Sequence, residues 1–328
     1  MDEKNDFQDL DKIVIGSRRS GQPVLRIGFQ MQVYLRGGHL NARRHAVVDG
    51  LAQFAAAAGP NITHVQKHMA SRLSQMPAEG AGALLHAEVD AIDPKTELYG
   101  PHLTDGQTPP RWQAAALLQP ERALPCDLSV AHLAMPATLA REDPDDLIAR
   151  LAAWCAVVQP LHGTAGLAPI YEIGMQQRHP DETWPLLSRF TGLDYMNAFT
   201  LAARGTDQIQ GVNWLTCLGG PILDGLGGPE GLAGRLRQAQ DGLAREDADL
   251  PVLHPYAGGM LIRAGTWPQL GDRNAGGPPR SYMIVAAALR DLLFTAYPNK
   301  PTQLIRVPRP LDAHAETLRW ITRFDAGA

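Results

Sequence analysis

Cysteine is scarce in this chain: three in 328 residues, Cys126, Cys155 and Cys217, with no CxxC spacing. An odd and sparse set excludes a disulfide framework and a thiolate zinc cluster, and it agrees with a reducing compartment. Long apolar runs are missing too; none reaches the roughly 18 residues that a membrane-spanning helix needs. Strong charge of one sign is absent. The formal net charge is -4 and the sequence pI is near 6.3, so no basic face is available for nucleic acid. The first dozen residues lack the basic start and apolar stretch of a secretory signal; Asp2, Glu3, Asp6, Asp9 and Asp11 outnumber Lys4 and Lys12 there. These absences predict a water-borne, cytoplasmic protein that binds neither membrane nor nucleic acid.

What is present is the balance of a globular protein, 45% hydrophobic and 20% charged. From Pro23 to Arg36 the apolar residues Leu25, Ile27, Phe29, Met31, Val33 and Leu35 alternate with polar ones. Period two predicts a half-buried strand, ended by Gly37-Gly38. Asn41 can cap a helix carrying Val47, Leu51, Phe54 and Ala58, stopped by Gly59-Pro60. Val65, Met69, Leu73 and Met76 suggest a second helix, and Leu85, Ala87, Val89 and Ala91 a further strand. Strands are also predicted over Trp112–Leu118 and Cys126–Ala134. Asp143-Pro144 opens a helix: Asp143 caps it, Pro144 suits its first position, and Asp145 and Asp146 oppose the helix dipole. Gln159-Pro160 closes it, and Leu161–Ala168 reads as a connection. Further on come helices near Glu182–Arg189, within Ile222–Ala244 and over Tyr282–Ala296. Strands are expected at Ile209–Leu218, Leu253–Arg263 and Leu304–Val307, and Asp312 can cap a last helix. Strands and helices do not alternate strictly, so the expected fold is α+β, mainly antiparallel sheets flanked by helices. It divides as an acidic leader over 1–22 and two similar-sized lobes, 23–160 and 161–328, or else forms one continuous domain.

The chemical motifs do not add up to an active site. His64 and His68 stand at i, i+4, the spacing of two zinc ligands, but Val65 occupies the place of the glutamate base and no third ligand is apparent. The glycines at 219, 220, 225, 227 and 228 match neither a phosphate loop nor a dinucleotide fingerprint, and suit turns and helix ends better. Cys155 lies on an apolar helix stripe and Cys217 in an apolar strand, where buried thiols are expected. The carboxylates Glu142, Asp143, Asp145 and Asp146 are accounted for by helix capping. No cofactor or metal ligand set is read. Ile262–Asn274, with Trp267, Asp272 and Asn274, is a turn-rich loop that either shapes the fold or is presented to a partner.

Several motifs of the second half come in a familiar order. They are Gly211-Val-Asn-Trp214 through Gly219, Leu226-Gly227-Gly228, Ala264-Gly265, Pro268 through Asn274, Pro279 and Tyr282, and Trp320–Phe324. In this the chain resembles the bacterial type VI secretion immunity proteins against VRR-type nuclease effectors, formerly a domain of unknown function. The resemblance is best over residues 160–325. It implies an antidote that binds and neutralises a cognate nuclease toxin, encoded by an adjacent gene, by stoichiometric protein–protein inhibition. Mild acidity fits such a role, because a nuclease presents a basic surface to phosphates. The candidate contact residues are Glu142, Asp143, Asp145, Asp146, Glu246, Asp247, Asp249, Trp267, Asp272 and Asn274. The alternatives are a scaffold or assembly protein of the same secretion apparatus, and an enzyme of unfamiliar class using His64 and His68.

Overall fold

The computed structural model describes residues 9–121, 128–195, 208–243, 249–296 and 304–325. Its spine is β2 (Pro23–Leu35), the alternating segment. Both edges of β2 are paired antiparallel, to β7 (Ser129–Met135) and to β8 (His162–Ile170), so that Met31 sits between Leu133 and Ala165. Beyond β8 lie β9 (Leu215–Gly219), β11 (Gly259–Arg263) and β10 (Val252–Tyr256). Beyond β7 lie β6 (Gln113–Leu117), β5 (His102–Thr104), β3 (His64–Gln66) and β4 (Ser74–Gln75), while β1 (Val14–Gly16) pairs with the start of β2. One antiparallel sheet of eleven strands thus crosses both halves of the chain. With its helices it makes the α+β fold that the sequence pattern predicts.

The described helices are α1 (Asn41–Ala58), α2 (Gly82–Ala91), α3 (Leu139–Glu142), α4 (Pro144–Val158), α5 (Pro180–Arg189), α6 (Gly220–Gly225), α7 (Gly228–Leu243), α8 (Arg280–Ala288) and α9 (Ala313–Ile321). Asp143 caps α4 as expected, its side chain accepting from the Asp146 amide, and Asp312 caps α9 in the same manner. Gln159, in the left-handed region at φ 48°, ends α4. Helices α1 and α4 cover the apolar face of the sheet. Their approach is close: a Cβ on Gly50 of α1 would fall 2.8 Å from both the Trp154 Nε1 and the Val158 Cγ1 of α4.

The other face of the sheet is polar, and it is buried as well. Register aligns Gln66, His102, Ala115, His132, Gln32, Thr164 and Thr216 in one row across seven strands. A half-buried β2 is therefore corrected: Gln30 and Gln32 are only 2% and 3% exposed. Chain from the second half covers this side. The Gln32 amide and Tyr34 hydroxyl both donate to Gln210, the Gln210 amide donates to the Tyr195 carbonyl, and the Thr164 hydroxyl donates to Asp194 at 2.6 Å.

Other expectations are overturned, each for a physical reason. Leu161–Ala168 is no connection but most of β8, a central strand. Its small residues hide its identity, and packing requires them: a Cβ on Gly163 would meet the Gln32 carbonyl oxygen at 2.3 Å, and one on Gly166 the Asn213 side chain at 2.1 Å. The expected helix from Asn61 is instead β3, a turn at Met69 and β4, so His64 and His68 share no helix face. His64 hydrogen-bonds Thr63 and Gln75, whereas the His68 Nδ1 accepts from the Gly100 amide. The expected strand over Leu85–Ala91 is α2, whose buried residues Leu85 and Val89 are four apart. The same spacing sets His86 and Asp90 opposite Asp49 and His45 of α1, with the two histidine Nδ1 atoms 2.7 Å apart.

In the second half, Leu253–Arg263 is a hairpin turning at Gly258, where φ is 98°. Ile209–Leu218 becomes a strand only from Leu215. The helix over Tyr282–Ala296 ends at Ala288 and is followed by a single 3-10 turn. Leu304–Val307 is not a strand, although Leu304 and Ile305 are fully buried. Cys155 and Cys217 are buried free thiols, Sγ to Sγ 4.0 Å, and Cys126 lies outside the described residues.

Candidate partner interface

The four carboxylates at the start of α4 stand on the surface, and their positions follow from the helix start. Pro144 occupies the first turn and Asp143 is committed to the cap, which leaves Asp145 and Asp146 pointing outward. Asp146 accepts from the Arg150 Nε one turn on at 2.7 Å, while Glu142 ends the short α3 just before the cap.

The second half of the chain joins them there. Arg263, at the end of β11, donates to Asp145 at 2.6 Å; the Asp145 side chain remains 79% exposed against 17% for Arg263. The Arg141 guanidinium lies 3.7 Å from the centre of the Trp267 ring, a cation–π contact. Asp249 fixes the loop that carries Trp267, accepting from the Thr266 amide at 2.6 Å and from its hydroxyl at 3.1 Å. Glu142, Asp143, Asp145, Asp146, Asp249 and Trp267 are therefore brought to one ridge, where Arg263 pairs with Asp145, Arg150 with Asp146, and Arg141 covers the Trp267 ring. Glu246 and Asp247 lie outside the described residues.

Beside this ridge a hollow of about 580 Å³ opens between α1 and α4, floored by Leu133 and Met135. Phe54, Trp112, Leu139 and Trp154 line it, and Glu142, Asp143, Asp146 and Arg150 stand on its rim. An apolar, aromatic depression with a charged margin is the form of a protein-binding hot spot. Sequence reasoning missed the hollow. Phe54 falls on the predicted stripe of α1, and nothing in its spacing says that α1 and α4 leave a gap over Trp112.

Asp272 and Asn274 belong to a different cluster. The Arg189 guanidinium grips Asp272 with Nε at 3.1 Å and a terminal nitrogen at 2.7 Å, and the Asn274 amide donates to the same carboxylate at 2.9 Å. The Arg189 hydrogen bonds hold the Asp272 carboxyl below the usual carboxylate range. These two residues tie their loop to the end of α5.

The ordered motifs of the second half converge on a buried polar hub. Asn213 donates to the Gly192 carbonyl at 3.2 Å and accepts from the Trp214 amide at 2.7 Å, and Trp214 donates its indole N–H to Gly265 at 3.0 Å. The Tyr282 hydroxyl accepts from the Gln269 amide at 3.0 Å. Arg323, 2% exposed, donates to the carbonyls of Thr191 and Trp320 at 2.7 and 2.9 Å. Burial pushes its guanidinium down to about 10, against the attraction of the buried Asp194 carboxylate. Burial raises the Asp194 carboxyl in turn, although Arg323 and the Thr164 hydroxyl favour its charged form. Every one of these groups holds the backbone of the second half together.

Among the described residues no helix is long and apolar enough to cross a membrane, and no three His, Cys, Asp or Glu side chains are grouped to hold a metal ion. No curated protein matches the chain. The fold is that of the Pseudomonas aeruginosa T6SS protein PA0821, at a TM-score of 0.77 and 19% identity over 99% of this chain and 92% of that one. The chain belongs to the TsiV family, type VI immunity for VRR-NUC, whose pattern matches residues 46–324 and so reaches well ahead of the motifs in the second half. It is an immunity protein of the type VI system.

Proposed function

We propose that the protein neutralises its cognate VRR-NUC effector by one-to-one binding, and that the acidic ridge with the adjoining hollow makes the contact. The observation that carries this reading is that Arg141, stacked on Trp267, and Arg263, paired with Asp145, bring the loop of the second half to the acidic start of α4. A nuclease keeps a basic surface for phosphates, and an acidic ridge complements that surface and speeds encounter. The hollow adds an apolar seat for a side chain projecting from the effector, where most of the binding energy would concentrate. The chain acts by occupying its partner and catalyses nothing. It works in the cytoplasm, and the gene for its effector lies next to its own.

The test is rescue with capture. The VRR-NUC product of the neighbouring reading frame is expressed in a sensitive host with and without this chain carrying an affinity tag. Survival together with a one-to-one complex supports direct inhibition. Survival without a complex, or no survival, would refute it. Replacing Asp145 and Glu142 by lysine is expected to weaken the complex at least tenfold at low salt, while the protein stays folded.

A further inference from the structure

A second cavity lies on the polar face of the sheet, opposite the face that carries the hollow. It measures about 320 Å³ and lies against β3, β5, β6 and β7. Its floor is the row Gln66, His102, Ala115 and His132. The segments 67–70 and 173–176 form its walls, with Pro101 and Leu98 beside them. A narrow extension shares His132, Ile173 and Gln176 with it and reaches Gln30 and Gln113.

Three features distinguish it from an ordinary packing gap. First, polar atoms in its floor lack partners. His132 is 3% exposed and its Nδ1 has no hydrogen bond among the described residues, and the same is true of the Gln30 Nε2 in the extension. A buried polar atom without a partner is destabilising, and such atoms mark places where a ligand completes the bonding. Second, the floor carries no charge. Burial depresses His132 to about 3 and His102 to about 4, so both rings are neutral at pH 7. Lys67, exposed at the rim, is the one formally charged side chain in the lining. Third, the mouth is shaped. Met69 is 85% exposed and held at φ 57°, a left-handed backbone that is strained for a methionine, and Ile173 stands across from it 37% exposed.

We propose that this cavity binds a small, uncharged, planar heterocycle carrying a donor and an acceptor along one edge, the chemistry of a nucleobase or an aromatic carboxamide. Gln66, His102 and Gln113 are bonded to one another and to the Ala70 and Tyr171 carbonyls, so such an edge would be read by the His132 imidazole and the Gln30 amide, whose Nδ1 and Nε2 have no partner among the described residues. An anion or a cation would find no counter-charge on the floor. A flat pleated floor beneath an apolar strap suits a ring that lies parallel to the sheet. The volume is at the low end for ligand pockets and equals that of roughly ten waters, which admits one or two fused rings without bulky substituents. The ligand and the effector would occupy opposite faces of the sheet, so each should bind in the presence of the other.

The experiment titrates ¹⁵N-histidine-labelled full-length protein with nicotinamide, uracil and adenine, using benzoate as a charged control. At least one neutral ring is expected to shift the His132 ring nitrogens saturably, benzoate at least tenfold more weakly, and a soaked crystal to show planar density over Ala115. Ala115→Leu, which fills the cavity, should abolish the shift. Met69→Gly, confined to an exposed turn, relieves the strain of the mouth and should change affinity severalfold without touching the floor. The proposal is overturned if no probe gives a saturable shift, if the soaked cavity holds ordered waters only, or if the shift survives in a folded Ala115→Leu protein.

Discussion

The buried hub and the exposed ridge are built from similar residue types and do opposite things. Asp194, Asn213 and Arg323 are enclosed, and each polar atom is spent on a backbone group or a fixed partner. Asp145, Asp146 and Glu142 face water, and the ion pairs of the two aspartates leave their side chains 79% and 48% exposed. Several of the motifs by which the chain resembles the family, Asn213-Trp214, Gly265, Tyr282 and Arg323 among them, come from the hub. Burial is the reason: a group that must bond a particular carbonyl tolerates no substitute, whereas an exposed carboxylate can change with its partner at little cost to folding. A family signature in a protein of this kind therefore points away from its contact surface.

That contrast is sharpest when one member of the hub is removed. Arg323→Met would leave the Asp194 carboxylate buried without its cation and strip donors from the carbonyls of Thr191 and Trp320. A loss of about 3 to 5 kcal/mol is expected, read as a lowered midpoint in urea unfolding. Acid should act on a comparable scale through each buried histidine of the polar face. In the folded protein His132 and His102 stay neutral down to about 3 and about 4, while in the unfolded chain they take up protons near 6.5. Their contribution is intact above pH 6.5 and is lost as pH falls toward 4. The loss is on the order of 3 kcal/mol for His102 alone, measurable by denaturant titration across that window. Reversing the ridge at Glu142 and Asp145 should leave stability within about 0.5 kcal/mol. Its cost should appear in association with the effector, about 1.4 kcal/mol or more at low salt and fading as salt screens the encounter. Smallest of all, Arg263→Ala should lower stability by under about 1 kcal/mol, because its partner Asp145 is well solvated. A larger loss in either ridge variant would mean that the ridge holds the fold as the hub does.

Much of this was legible beforehand, and the failures share a cause. The alternation of β2 and the Asp143-Pro144 start of α4 are local signals, settled by neighbours in sequence. The central strand β8 went unread because Gly163, Ala165, Gly166 and Ala168 carry no strand preference; they are small because neighbouring chain passes too close for anything larger. Leu85 and Val89 fit either period, and only packing of α2 on α1 selects the helix. At the candidate site, the acidic run and Trp267 could be named singly. That Arg141 and Arg263 would bring them together across more than a hundred residues could not. Nor could the hollow at Trp112, since its walls come from separate helices and strands.

The position of β2 also sets an order of events during synthesis. This strand leaves the ribosome first among the central ones, yet its partners are completed only at Met135 and Ile170. For about a hundred residues of elongation it is a thirteen-residue strand lacking both long partners, rich in Phe, Met, Val and Leu on one side, and its β8 edge stays open for roughly 35 more. Pairings of such long range form slowly, and exposed strands invite pairing with other chains. The nascent chain thus passes through a period of vulnerability that the finished fold conceals, and it closes only when β8 emerges.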